Sequence, residues 1–299
     1  MAARRRLRRL RAALPPPVTG GASSESLAKA KFISDDQPWQ TTYVHSPRFE
    51  LAEADAAQAH LEEYGFCIFR SVLSATECAA SLSQLWDFLE CLGAGIDRST
   101  SDTWGTEAAE LVFTARGVIH PHGVIHSAAT WGVRSAPGVR KTFASVWGTE
   151  DLIASFDGLC VFRPWNVNRA WRTGGPWFHT DQPAFLPRAS VTASGSGGAA
   201  AYEGPSGFRR EYVQGFVNLI ETTPASGGNV VVPKSHLRYE ALARQHLSPE
   251  TGGSGIPADH PIYRDGIRSH LGAGDVRVLQ ARGEAPQGAE RQIADWHWH

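Results

Sequence analysis

The residues best suited to chemistry are an imidazole and a carboxylate in the run Trp177-Phe-His179-Thr-Asp181-Gln182. Side chains two positions apart in a β-strand share one face, so His179 and Asp181 on a strand would point into the same cavity. A 2-His-1-carboxylate site needs such a pair to hold Fe(II) while leaving positions open for substrate and oxygen. Because His-x-Asp also arises by chance, the surrounding elements decide whether the pair is a metal site.

Helical patterns come first along the chain. Residues 51–63 form an amphipathic pattern that ends at Gly65, and Ser74-Ala-Thr-Glu77 is a capping box that predicts a helix over 74–92. A further short helix is expected within 137–147. Apolar, β-favouring segments bounded by turn residues predict strands at 66–72, 152–162, 177–182, 212–220, 229–232 and 271–279. Helices followed by a run of strands predict a mainly β fold, a β-sandwich core with N-terminal helices.

Several sequence blocks, in order between about Tyr64 and Asp275, resemble the phytanoyl-CoA dioxygenase family of the Fe(II)/2-oxoglutarate-dependent oxygenases. The matching blocks are Leu85-Trp-Asp-Phe-Leu-Glu90 with Gly95-Ile-Asp-Arg98, Trp147-Gly-Thr-Glu-Asp-Leu152, Ser155-Phe-Asp-Gly158 with Val161-Phe-Arg-Pro164, Gly175-Pro-Trp-Phe-His-Thr-Asp-Gln182, and Gly227-Gly-Asn-Val-Val-Val-Pro-Lys-Ser-His236. The resemblance implies a double-stranded β-helix, the cupin-like jelly roll, with iron held by His179 and Asp181. His236 is expected on a neighbouring strand and turn, shaping the pocket.

The resemblance also implies a reaction. It indicates a dioxygenase, an oxidoreductase that uses Fe(II), 2-oxoglutarate and O2 to hydroxylate a small or lipid-like organic substrate. A guanidinium fork matches the paired oxygens of the remote 2-oxoglutarate carboxylate, and Arg163 or Arg291 is the candidate for that role.

The C-terminal end departs from the family pattern. A third iron ligand, a histidine, is expected about ten residues after Gly274-Asp275, yet no histidine lies between His270 and His297, and Pro286 argues against an intact inner strand there. The C-terminal strand is therefore expected to be incomplete, with an atypical end after residue 276. Three explanations stay open: a frame error in a GC-rich gene, a catalytically inactive relative, or a substitute ligand among His297, His299 and His270.

Composition narrows the alternatives. Hydrophobic residues make up 42% of the 299, charged residues 20%, and the net charge is -1, which fits a folded protein and gives no general attraction to nucleic acid. No run of about 18 apolar residues suggests a transmembrane helix. The four cysteines show no C-x-x-C pair, so a reducing, intracellular setting is the simpler interpretation. The oligomeric state stays open.

Two segments stand apart from the predicted domain at 41–299. Residues 1–40 begin with an Arg-rich, acid-poor stretch, which suggests a mitochondrial or plastid transit peptide, a disordered basic tail or a wrongly chosen start codon. Residues 189–207 are rich in Ser, Gly and Ala and predict a flexible loop. Two further hypotheses compete with the oxygenase: an inactive or truncated jelly-roll protein with a binding role only, and a cupin-like ligand-binding module.

Overall fold

The computed structural model describes somewhat more than half of the chain and leaves some of the predicted site outside. The described residues are 42–113, 117–119, 123–154, 156, 158–165, 167–171, 212–222, 228–239, 241, 261–280 and 292–298. All of them fall in the unit Gln37–His299. The basic tail at 1–40, the 189–207 segment and the predicted metal strand with His179 and Asp181 lie outside the described residues.

Five α-helices occur in the described part, and most of them precede the long strands. They are α1 (Ala54–Tyr64), α2 (Ala75–Cys91), α3 (Glu107–Glu110), α4 (Ala128–Ser135) and α5 (Pro137–Trp147), joined by short 3-10 turns such as Leu51–Glu53. Within the described ranges, no helix is long and apolar enough to cross a bilayer.

Local chemistry sets the ends of these helices. At the start of α2, the Ser74 hydroxyl accepts a hydrogen bond from the Glu77 N–H at 3.2 Å, and the Glu77 carboxylate accepts one from the Ser74 N–H at 2.8 Å. These bonds satisfy backbone donors that a helix start leaves unpaired. At the end of α1, Gly65 adopts a left-handed conformation with φ 81°, which a residue with a Cβ rarely adopts.

The strands form three small sheets. The described strands are β1 (Thr42–Val44), β2 (Phe66–Phe69), β3 (Val118–Ile119), β4 (Leu152–Ala154), β5 (Leu159–Cys160), β6 (Tyr212–Val217), β7 (Val230–Val231), β8 (Ile267–Ser269), β9 (Val276–Gln280) and β10 (Gln292–Trp298). The orders are β2-β9-β6-β10-β4, β1-β8-β7 and β3-β5. Pairing is antiparallel between β2 and β9 and between β9 and β6, and parallel where β10 meets β6 and β4.

Most predicted elements in the described part are confirmed, with shorter strands than expected. The predicted helices correspond to α1, α2 and α5, and the strands predicted at 66–72, 212–220, 229–232 and 271–279 correspond to β2, β6, β7 and β9. The single strand predicted over 152–162 is wrong, because β4 and β5 are separate and belong to different sheets. Gly158, directly before β5, fits the break, since glycine is disfavoured in strands.

One face of the five-stranded sheet is covered by helices. Alternation along the paired strands places Cys67 of β2 and Val276 and Val278 of β9 on this side, where they join the main hydrophobic cluster. Phe143 of α5 belongs to the same cluster and is fully buried. An added Cβ on Gly215 of β6 would lie 2.1 Å from Phe143 Cζ, so the glycine allows this close approach. We call this side the helix-covered face.

The opposite side of the same sheet faces the three-stranded sheet. Phe66 and Ile68 of β2 are buried here with Leu271, and Val231, Ile267 and Leu279 pack against them. Because this cluster draws on β7 and β8 as well as on β2 and β9, it joins the two sheets. We call this side the intersheet face. The observed architecture is thus a mixed fold of helices and small, partly antiparallel sheets.

Candidate functional site

Arg277 is a charged residue on the intersheet face. It lies between Val276 and Val278 on β9, so alternation turns its side chain away from the helix-covered face. Its neighbours in register are Ile68 on β2 and Phe216 on β6. The side chain has 0% exposure. A guanidinium therefore lies among apolar side chains in the interior of the fold.

Only part of the Arg277 guanidinium is hydrogen-bonded. One terminal nitrogen, Nη1, donates to the backbone oxygen and to the side-chain Oδ1 of Asn229, both at 3.1 Å. The guanidinium carbon lies 5.7 Å from the centroid of the Phe66 ring, a cation–π contact. Among the described residues, nothing accepts a hydrogen bond from Nε or Nη2. Two adjacent N–H donors on one edge of the guanidinium, at Nε and Nη2, therefore have no acceptor among the described residues.

Among the described residues, no carboxylate compensates the charge of Arg277. Burial removes water from the cation and lowers the pKa of Arg277 to about 10. At pH 7 the group still carries its proton. Buried charges in proteins are normally paired, because desolvation of an isolated ion is expensive. An anion bound beside Arg277 would therefore be stabilising.

Gln214 adds a second polar group with an idle atom to the same face. It lies opposite Leu279 in the β6–β9 pair, and directly opposed residues share a face. Its side chain is buried, and its Oε1 accepts no hydrogen bond from any described residue. A rotation of the terminal amide would present an N–H at the same point. Two polar side chains with atoms that no described residue satisfies, Arg277 and Gln214, therefore lie on one buried face.

Asp275 fixes the start of the strand that carries Arg277. Its carboxylate accepts hydrogen bonds from Arg48 Nη1 at 2.9 Å, the Ser71 N–H at 3.0 Å and the Gly272 N–H at 2.8 Å. Gly274 has φ 82°, and a Cβ there would lie 2.1 Å from the backbone oxygen of Leu73. Both the conformation and the space require glycine. The Gly274-Asp275 pair therefore has a structural role in fixing the entry to β9.

Arg163, predicted to bind 2-oxoglutarate, is engaged in an ion pair. Its guanidinium contacts both carboxylate oxygens of Glu110, with the Nη2–Oε2 distance at 3.0 Å, and lies 5.1 Å from the Phe113 ring centroid and 5.0 Å from that of Trp171. Only 8% of the Arg163 side chain is exposed. A 2-oxoglutarate carboxylate would have to compete with Glu110 for the same fork. The other candidate, Arg291, lies outside the described residues.

The candidate third ligands differ in their surroundings. His270 Nδ1 lies 3.1 Å from the Tyr43 hydroxyl, and its Nε2 lies 3.4 Å from Glu221 Oε1, so both ring nitrogens already have polar neighbours. His297 is a residue of β10, in register with Phe216 of β6. His299 lies outside the described residues, as do His179 and Asp181. In the part of the chain that is described, no cluster of three or more His, Cys, Asp or Glu side chains could hold a metal ion.

His236 lies against the end of α1. Its Nε2 donates to the backbone oxygen of Glu62 at 2.9 Å, and its Nδ1 would lie 2.4 Å from a Cβ added to Gly65. The ring is buried. These contacts give His236 a structural role in holding the Pro-Lys-Ser-His turn against the first helix.

Sequence reasoning missed Arg277, although a signal was present. The run Val276-Arg-Val-Leu-Gln280 alternates as a strand does, with a single charged residue at a position that an apolar one would normally occupy. A charge flanked by valines in a strand paired on both sides is a candidate for a buried functional residue.

Comparison with known proteins shows the family of the chain. The sequence matches the profile of the Phytanoyl-CoA dioxygenase (PhyH) family over residues 61–280, and the chain belongs to that family. It is 31% identical over 117 residues to "Ava biosynthesis cluster protein O" of Aspergillus versicolor, covering 39% of this chain and 36% of that protein. It is 25% identical over 192 residues to "Putative phytanoyl-CoA dioxygenase" of Dictyostelium discoideum, covering 58% and 53%. The chain thus aligns with about a third to a half of the length of these relatives.

Proposed function

We propose that the protein is an Fe(II)- and 2-oxoglutarate-dependent oxygenase that hydroxylates a small or lipid-like organic substrate. The observation that carries the proposal is family membership over residues 61–280, a span that contains both His179 and Asp181. Membership supports the chemistry of an oxidoreductase that uses O2, and the substrate class is our inference.

In this proposal His179 and Asp181 hold the iron, since an imidazole and a carboxylate are the donor types that Fe(II) takes in such sites. Iron with 2-oxoglutarate supplies the oxidising power for C–H hydroxylation by O2. The chain's own contribution is to hold the two reactants in a water-poor space and to orient them. The two facing sheets support a jelly-roll arrangement in which that space lies between them.

His297 is our first candidate for the third ligand. In backbone register, Ile68, Arg277, Phe216 and His297 form one row across β2, β9, β6 and β10. The row supports a place for His297 beside the strands that bound the intersheet space. His270 would have to leave Tyr43 and Glu221 before it could bind iron. His299, one residue beyond β10, is the next candidate.

Anaerobic titration of the full chain with Fe(II) and 2-oxoglutarate tests the proposal. We expect a visible charge-transfer band that is lost in His179→Ala and in Asp181→Ala. His126→Ala is a matched control, because His126 contacts the Phe156 ring at 5.0 Å outside the three sheets, and the band should survive there. His297→Ala and His270→Ala are then compared. The variant with the weaker band identifies the third ligand.

An inactive jelly-roll protein with a binding role is the second candidate. The absence of a histidine between His270 and His297 favours it, because the family pattern places the third ligand there. In that case the full chain gives no band at any iron concentration, and the His179→Ala variant behaves as the parent does. The transcript sequence over codons 270–299 separates such a protein from a frame error.

A further inference from the structure

The structure assigns to Arg277 the role of anchor in a binding site for an organic carboxylate, located between the two sheets. The idle donors at Nε and Nη2 lie on one edge of a guanidinium whose Nη1 is already held by Asn229. That edge offers two parallel N–H groups, which match the two oxygens of a carboxylate. The asparagine contact fixes the orientation of the edge before a ligand arrives.

Three other arginines of the chain have a structural role, and each forms an ion pair with a carboxylate. Arg48 pairs with Asp275 at 2.9 Å, Arg98 with Glu90 at 2.8 Å, and Arg163 with Glu110. Arg277 is more deeply buried than any of these three, yet among the described residues no acid faces it. An ion without a partner in such a place destabilises the fold, and a ligand carboxylate would remove that penalty.

The surroundings of Arg277 favour a carboxylate attached to an apolar body. Phe66, Ile68 and Leu279 share the intersheet face with it, and Gln214 supplies one further polar group. Apolar walls with a few fixed polar groups are typical of small-molecule sites. A hydrated inorganic anion would gain little from these walls.

Access requires a local opening. Arg277 has no exposed surface in this structure, so a carboxylate reaches the guanidinium only after neighbouring segments separate. Association should consequently be slow compared with binding to a preformed cleft. Once bound, the ligand is shielded from water, which strengthens the charged hydrogen bonds.

The source of the carboxylate rests on the proposed function. If the protein is a 2-oxoglutarate-dependent oxygenase, the anion is either the carboxylate of that co-substrate remote from its keto group or an acid group on the substrate to be hydroxylated. The two sources share the same recognition chemistry, and they differ in whether a second carboxylate on a short chain is needed.

The test uses the full-length protein in a chelator, so that iron has no part in the measurement. Glutarate, 2-oxoglutarate and hexanoate are titrated separately by calorimetry and by thermal unfolding. The variants are Arg277→Met and Arg277→Lys, and the control is Arg140→Met, the same change at an exposed residue of α5. Stopped-flow mixing measures the association rate.

We expect at least one of these acids to bind and to raise the melting temperature of the parent and of Arg140→Met alike. Arg277→Met should lose the response, and Arg277→Lys should bind about ten- to a hundredfold more weakly, because an ammonium lacks the paired donors. If Arg277→Met does not fold, the lysine variant alone decides. Preference for glutarate and 2-oxoglutarate assigns the site to the co-substrate, and preference for hexanoate assigns it to the substrate.

Two results would overturn the inference: no response of the parent to any of the three acids, or an unchanged Kd in both Arg277 variants. The outcome is independent of iron. Carboxylate binding that depends on Arg277 without a charge-transfer band would leave the inference standing and remove the oxygenase proposal. A band with unaltered carboxylate binding in the variants would do the reverse.

Discussion

The two faces of the five-stranded sheet differ in how completely their side chains are satisfied. On the helix-covered face, Val276, Val278 and Phe143 pack with apolar neighbours, and Gly215 leaves just the space that Phe143 fills. On the intersheet face, apolar residues surround Arg277 and Gln214, both of which have polar atoms without partners among the described residues. The same strands, β6 and β9, supply both faces.

This difference separates stability from function within one sheet. A face whose strands carry closely packed apolar side chains contributes to folding and leaves no room for a ligand. A face with a buried cation that no described carboxylate pairs with stabilises the fold less than an apolar face would, and it becomes more stable when an anion binds. Substitutions on the two faces should therefore have opposite effects on the ligand-free protein.

The largest effect is expected from Phe143→Ala on the helix-covered face. Removal of this fully buried ring leaves a cavity against the sheet and should lower the free energy of unfolding by about 3–5 kcal/mol. Urea denaturation measures the change. Phe156→Ala is the control, since 59% of Phe156 is exposed, and it should alter stability by no more than about 0.5 kcal/mol. Similar losses in both variants would mean that α5 does not pack on the sheet as described.

Gly215→Ala tests how tightly the same face is packed. The new methyl group would lie 2.1 Å from Phe143 Cζ, and relief of this overlap should cost about 1–3 kcal/mol of stability. Adding Phe143→Leu should recover part of the loss, so the double variant is more stable than the sum of the single changes implies. Gly132→Ala in α4, where the nearest atom is 3.6 Å away, is the control and should not destabilise. Strict additivity of the first two changes would contradict the described contact.

Arg277→Met should change stability in the opposite direction. Arg277 is a buried cation that faces no acid among the described residues. Replacing it by an apolar chain of similar length is expected to raise the free energy of unfolding of the ligand-free protein by about 1–2 kcal/mol, even though Asn229 loses its donor. Arg163→Met is the matched control, because it breaks the ion pair with Glu110 and should lower stability. Equal losses from both variants, measured by urea denaturation, would show that Arg277 has a counter-ion after all.

The smallest expected effect concerns Glu77, whose carboxylate is hydrogen-bonded and lies on neither face of the five-stranded sheet. Hydrogen bonds from Ser74 hold the pKa of Glu77 below its ordinary value of 4.5. A carboxyl whose pKa is lower in the folded state stabilises the fold above its unfolded pKa and loses that contribution as pH falls through the folded value. Glu77→Gln should therefore reduce stability at pH 7 by a few tenths of a kcal/mol, since the site is exposed.

A pH series of melting temperatures checks the sign of the Glu77 effect. The gap between the parent and Glu77→Gln should narrow steadily as pH falls from about 5 toward about 3. Glu107→Gln is a suitable comparison, because Glu107 also lies in a first helical turn, that of α3. A gap that widens on acidification would contradict the capping role of the Glu77 carboxylate.

Local signals in the sequence were sufficient for α1, α2 and α5 and for part of the sheet, whereas α3 and α4 were not predicted. The Ser74-x-x-Glu77 pattern places the start of α2 because the bonds involved are only three residues apart. The division of 152–162 into β4 and β5 was not predictable in the same way, since each strand is defined by partners far along the chain. Strand partners depend on tertiary packing, which periodicity does not encode.

The candidate site shows the same limit. The prediction for Arg163 rests on residue type, and the sequence does not show that Glu110, 53 positions earlier, pairs with its guanidinium. Arg277 was overlooked because its significance depends on missing partners, which only a folded arrangement reveals. The prediction for His179 and Asp181 came from spacing and resemblance, and their geometry lies outside the described residues.

Because Cys67 is buried, the reactivity of its thiol reports on local opening of the fold. Desolvation raises the pKa of this thiol, so it is both inaccessible and unreactive while β2 stays under the helices. The exposed Cys91, at the end of α2, has no such protection. Alkylation of Cys91 will therefore be fast. Alkylation of Cys67 will be slow, and its rate will report how often the sheet separates from the helices that cover it.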